Sequence, residues 1–189
     1  MLPRICFSLF FLLILNACCR EQDLALSPAL TAWAPYAGQQ ELTFTSPAGD
    51  TMVFVAELSH FNQSGSDKAC GAYEIETLQV NLKATEDPSL LVQVALSHEI
   101  LVRIKVLRQD PPAQGLDITF NTISELYISD AWRDRFYKSV ELNGKTYRNV
   151  LHAYGWPEAG LIPVSEIYYG REVGLIGFRL FSGDVYFLL

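Results

Sequence analysis

Leu90–Val106 reads LLVQVALSHEILVRIKV. Leu90, Val92, Val94, Leu96, Ile100, Val102, Ile104 and Val106 all fall on even numbers, while Gln93, Ser97, Arg103 and Lys105 take the odd ones. A period of two belongs to a β-strand with one buried face, because successive side chains point to opposite sides of the pleat. As one strand the run would be too long, since each residue adds ~3.3 Å and strands usually stop below about ten residues. A hairpin with Ser97-His98-Glu99 as a three-residue loop divides it. That loop would pair Leu96 with Ile100 and Val94 with Val102, keeping both apolar rows on one face. A two-residue loop would break the match.

The same period extends outward on both sides. ELTFT (41–45) and TMVFVAEL (51–58) flank SPAGD, whose Pro, Gly and Asp specify a turn. HFNQSGSDKACG (60–71) reads as a polar loop. In AYEIETLQVNLKA (72–84) the apolar residues move from odd positions, Tyr73 and Ile75, to even ones, Leu78, Val80 and Leu82. That switch implies a bulge or a strand changing its buried face. QDPPAQG (109–115) reads as a turn and LDITF (116–120) as a strand. Residues 121–136 are ambiguous, with one short helix expected around Asp130. Asn143-Gly144 divides two alternating runs and is the strongest short hairpin signal in the chain. GWPEAG (155–160) is another turn. The C-terminal SEIYYGREVGLIGFRLFSGDVYFLL splits into three short strands at 170–172 and at 182–184. The expected fold is all-β: one antiparallel domain of about ten strands with little helix, forming a curved sheet, a half-barrel or a small barrel.

The N-terminus gives an address. Arg4 precedes an apolar run from Ile5 to Leu15, well short of the ~20 residues a membrane-spanning helix needs. A cation, a short apolar segment and small residues make a secretory leader. Leu15-Asn16-Ala17-Cys18 follows in place of the usual small-x-small pattern. It resembles the bacterial lipobox, and the resemblance implies cleavage before Cys18 with lipid on its sulfur and on the new N-terminus. Cys19 has no Leu at the required upstream position. Two or more acyl chains hold a protein firmly where one binds only marginally. The expected organisation is a leader over 1–17, a lipid-anchored linker over 18–38 and a β domain over 39–189. The implied location is the cell envelope, on the outer membrane. Glu21 and Asp23 loosely resemble the acidic surface-export signal of Bacteroidetes lipoproteins.

The formal charge is −7, and loss of Arg4 with the leader makes it one unit more negative. An acidic chain without a basic cluster argues against nucleic acid and against docking on anionic lipid by charge. Of four cysteines, the lipobox resemblance implies that Cys6 would leave with the leader and Cys18 would carry lipid. Cys19 and Cys70 remain, either as a disulfide in an oxidising compartment or as two thiols. With no Cys-x-x-Cys, neither a zinc nor a redox motif is supported, and no cofactor is implied.

Three stretches carry a second likeness: WAPYAGQQELTFTSPAGDT (33–51), VELNGKTYRNVLHAY (140–154) and EIYYGREVGLIGFRL (166–180). They resemble recurrent segments of uncharacterised β-rich lipoproteins from Bacteroidetes. The likeness implies the anchor and the fold, and brings no activity with it.

Catalytic patterns are weak. His60, His98 and His152 form no close ligand pair. A Cys70–His60 dyad has only proximity along one loop to support it. Glu74 and Glu76 share a strand face, but glycosidase carboxylates must oppose each other across a cleft. No glycine-rich phosphate loop precedes a helix. The chain therefore reads as non-catalytic. Trp33, Tyr36, Trp132, Phe136, Tyr137, Tyr154, Trp156, Tyr168 and Tyr169 gather in turns and hairpins. Aromatics suit β cores. Alternatively Trp33, Tyr36, Trp132, Trp156, Tyr168 and Tyr169 form a ligand or partner surface. Two functions follow: a structural or partner-binding module acting on another envelope protein, or a carrier holding an apolar molecule or lipid in a barrel-like cavity.

Overall fold

A computed structural model of the chain describes residues 25–67, 71–97, 101–109, 112–127, 133–155 and 163–189. Twelve strands form one sheet: β1 (Glu41–Thr45), β2 (Thr51–Asp67), β3 (Gly71–Ala84), β4 (Leu90–Ser97), β5 (Leu101–Gln109), β6 (Pro112–Asn121), β7 (Leu126–Tyr127), β8 (Arg135–Leu142), β9 (Lys145–Tyr154), β10 (Val164–Gly170), β11 (Gly174–Leu180) and β12 (Val185–Leu188). All pairings are antiparallel. The order is β7-β6-β5-β4-β3-β2-β1-β12-β11-β10-β9-β8. Each strand thus pairs with its chain neighbours except across β7 and β8, and β1–β12 pairing joins the two ends of the meander. The sheet curls into a nearly closed barrel with its seam between β7 and β8. The all-β fold expected from period-two patterning is present, with two more strands than the expected ten.

Inward rows run across the strands as the alternation requires. Leu78, Leu96, Val102 and Phe120 are consecutive partners, as are Val80, Val94, Ile104 and Ile118, and then Leu82, Val92, Val106 and Leu116. All twelve are buried. On the opposite face Lys83 pairs with Glu57 at 2.7 Å, and Asp117 accepts two hydrogen bonds from Arg103 at 2.8 and 2.6 Å. The β4–β5 hairpin keeps its apolar rows on one face, but Leu96 pairs with Val102 and Val94 with Ile104. Ser97, expected in the loop, instead pairs with Leu101 in the ladder; His98 and Glu99 lie outside the described residues.

Two further expectations are corrected. Residues 60–67 are not a loop: β2 continues to Asp67 and pairs with β3 without a register shift from Phe54–Ala84 to Asp67–Gly71. Among the described residues, β3 pairs with β2 alone over 71–76, before its pairing with β4 begins at Thr77, so this outer half is a two-stranded ribbon. Its backbone bonds are met by the partner strand, so polar side chains suffice there. The change of apolar parity near Thr77 is therefore no bulge; it falls where β3 leaves the sheet. Pro112, read within a turn, already begins β6.

Residues 25–38 do not behave as a free tether. Ser27 caps a single helical turn, α1 (Pro28–Thr31), by accepting from the Leu30 N–H, with Pro28 in the first turn where its missing donor costs nothing. Leu30, Trp33, Ala34 and Tyr36 then enter the core as a plug. The segment expected as linker is in part interior. Deeper in, Phe44, Phe54 and Phe178 pack edge to face at 5.3–5.7 Å, and Tyr186 stacks on Phe178 at 5.2 Å. Asn143 (φ 49°) and Gly144 (φ 71°) are both left-handed, as a two-residue turn of the hairpin type requires, and β8 and β9 flank them.

The seam is closed by side chains and by close backbone approach. Tyr127 donates to the Arg135 carbonyl at 2.7 Å. Phe120 packs against Tyr127 at 5.3 Å and Phe136 at 5.0 Å. Gly155 lies so near β6 that a Cβ there would sit 3.1 Å from the Gly115 carbonyl and 2.8 Å from that of Val164.

Candidate functional site

Three of the six aromatics expected to form a surface are interior: Trp33 is 3% exposed, Tyr36 7% and Tyr169 0%. They tie the plug to the C-terminal hairpin. Tyr169 donates to the Trp33 carbonyl, and Tyr36 accepts the Leu175 N–H at 2.7 Å. Burial raises both phenols above their ordinary range. These bonds join the N-terminal plug to the C-terminal hairpin; of the three rings, Trp33 also lines a cleft beside α1. Tyr168, on the other side of the same strand, does face away from the core.

Tyr168 sits in a cluster that the sequence alone did not assemble. Antiparallel pairing sets Tyr168 opposite His152, and Glu166 opposite both Tyr154 and Arg179. The His152 ring stacks on Tyr168 at 4.2 Å and meets Tyr154 at 4.5 Å and Tyr137 at 6.1 Å. Its Nε2 lies 3.1 Å from Glu166, which also accepts from Tyr168 at 3.4 Å and pairs with Arg179 at 3.3 Å. His152 is 5% exposed. Desolvation lowers its pKa against the raising effect of Glu166. Burial first, then the Glu166 charge, pushes Tyr168 up to about 12. Asp134 accepts the Tyr154 N–H at 3.1 Å, and burial pushes its carboxyl up to about 6. The one legible signal was that HAY (152–154) and EIYY (166–169) are adjacent strands of matching aromatic content.

Among the described residues, no Ser, Thr or Cys hydroxyl or thiol hydrogen-bonds the His152 ring, and no group of three His, Cys, Asp or Glu side chains is placed to hold a metal ion. The arrangement orients an imidazole between a carboxylate and stacked phenols. Glu74 and Glu76 are occupied otherwise. Asn62 donates to Glu74 at 3.2 Å, and the Leu26 N–H donates to Glu76 at 2.9 Å. His60 is exposed, 3.8 Å from Glu76.

A cleft of about 240 Å³ opens at the barrel end that holds α1. Trp33, Phe120 and Phe136 form its apolar wall, and Asn149, Arg171 and Glu125 supply polar groups. Neither Asn149 nor Arg171 carried a sequence motif; only the register of β9 and the turn after β10 bring them together. Cys18, Cys19, Cys70, His98, Trp132, Trp156, the helix expected around Asp130 and most of the GWPEAG turn lie outside the described residues. No helix among the described residues is long and apolar enough to cross a membrane.

No family model matches the chain, and neither a curated protein nor a solved structure matches it. The functional reading rests on the residues and their geometry.

Proposed function

We propose that this chain is a lipid-anchored lipoprotein of the cell envelope whose β-barrel is a structural module that binds a protein partner on its outer surface. Two things support the reading. The Leu15–Cys18 stretch has the lipobox pattern. The observation that carries the partner-binding half is the filled interior: Phe44, Phe54, Phe120, Phe178 and Tyr169 are all fully buried among the aliphatic rows. A barrel occupied by its own side chains must engage anything large from outside. The outward face of β8–β10, with Tyr137, Tyr154 and Tyr168, offers the amphipathic rings that interfaces favour.

The barrel fold also suits a carrier, and the cleft beside α1 favours a second reading for small cargo only. Its volume is below the roughly 300–1,000 Å³ of drug-sized sites, too little for a lipid with two acyl chains.

The test of the anchor is Cys18→Ala in cells fed radiolabelled palmitate. Label should vanish, and the protein should move from the membrane pellet to the soluble fraction. A variant that still labels and sediments would overturn the anchored reading. Native mass spectrometry separates the two functions: a lipid-sized adduct on the folded domain would favour the carrier, and a bare mass the partner-binding module.

A further inference from the structure

The cleft at the α1 end has a directional polarity. Its wall is three rings, Trp33 against Phe120 at 5.7 Å and Phe120 against Phe136 at 5.0 Å. Facing them is Arg171, in the turn between β10 and β11. Its Nε is buried and has no hydrogen-bond partner, although a guanidinium carries five donors and is always charged. Glu125 also lines the cleft, but its carboxylate is taken by Lys138. The uncompensated charge of the cleft is therefore positive.

The backbone holds this cation in place. Asn149, inside β9, has φ 51°, and its carbonyl accepts the Arg171 N–H at 3.1 Å. Glu172 has φ 69°, and its N–H donates to the Ala32 carbonyl at 2.6 Å, fixing the turn to the plug. Glu125 has φ 56°. Left-handed non-glycine residues are uncommon and gather where a site demands them. Of the five that the structure describes, Glu125 and Asn149 line this cleft, and Glu172 directly follows its Arg171.

We propose that the cleft binds a small amphipathic carboxylate, with an aromatic ring or short acyl chain against Trp33, Phe120 and Phe136 and its carboxylate on the Arg171 guanidinium. A planar fork matches a carboxylate in bidentate geometry, and such charge-assisted bonds are the strong ones. Asn149, which also lines the cleft, adds a neutral amide. The volume admits a single ring with a short acid tail. This site stands independently of Cys18 and of any partner on the barrel exterior.

Calorimetric titration of the full chain in nonionic detergent tests it, with 3-phenylpropionate, its amide and inorganic phosphate as probes. The carboxylate should bind at least about tenfold more tightly than the amide, a difference of roughly 1.4 kcal/mol, and phosphate should bind more weakly than the carboxylate. Arg171→Gln should reduce carboxylate binding to the level of the amide, while Arg171→Lys retains part of the preference. Equal binding of acid and amide, phosphate binding as tight as the carboxylate, or no saturable heat with any probe overturns the proposal. The comparison of probes on the unaltered protein decides the matter even if the Arg171 variants fold poorly.

Discussion

Gly174 cannot carry a side chain. Its φ is +81°, and a Cβ there would overlap the Tyr36 ring, whose hydroxyl accepts the next N–H. Gly174→Ala should therefore destabilise the protein by about 2 kcal/mol or more, measured by denaturant unfolding, because backbone strain and steric overlap act together. Asp134 gives a residue-scale prediction with a sign. Burial raises its folded pKa from 3.8 to about 6. The folded state thus holds the proton more tightly than the unfolded chain, and stability falls as pH rises from near 4 through 6. His152 acts in the opposite sense, since its folded pKa is lowered and its protonation below pH 6.5 opposes folding. Asp134→Asn removes the first effect alone. Relative to the unaltered protein, its melting temperature should be higher at pH 8 than at pH 4; an offset that is the same at both would contradict the account. Neither residue was legible in the sequence. Trp33, Tyr36 and Tyr169 read by default as core and alternatively as a ligand or partner surface, and nothing in a local pattern says which end of a barrel the N-terminal segment enters.

Strands and hairpins were the legible scale wherever an apolar row meets a core. Leu90–Val106 gave two strands on one face, and Asn143-Gly144 gave its turn, since both depend only on period and backbone conformation. The outer half of the β2–β3 ribbon was not legible: its ladder bonds come from a partner strand, and polar residues such as Asn62 and Ser64 pair as well as apolar ones. The His152 cluster was hidden for a related reason, as it exists only once β8, β9 and β10 are in register. The seam between β7 and β8 is the weak joint of the barrel. Gly155→Ala would press a methyl onto the carbonyls of Val164 and Gly115, and Tyr127→Phe would remove the hydroxyl that donates to Arg135. The second change should cost about 1 kcal/mol, the typical net worth of one hydrogen bond. Both should speed amide exchange in β6 to β9 more than in β3 to β5; uniform acceleration would show that the seam is not a separate weak point.

The whole molecule is a meander whose ends meet at β1 and β12, plugged at one mouth by residues from its own N-terminal side. That geometry bears on function. The plug takes up part of the interior, so the proposed binding uses the exterior and the small cleft. Leu26, whose N–H donates to Glu76 at 2.9 Å, stands only a few positions after Cys18 in the sequence. The proposal that lipid on Cys18 places this barrel at a membrane is tested most directly by mass spectrometry of the mature protein extracted from cell membranes. The account predicts an N-terminal peptide that starts at Cys18 and carries diacylglyceryl and acyl mass. A mature chain that starts elsewhere with no fatty acyl mass would contradict it.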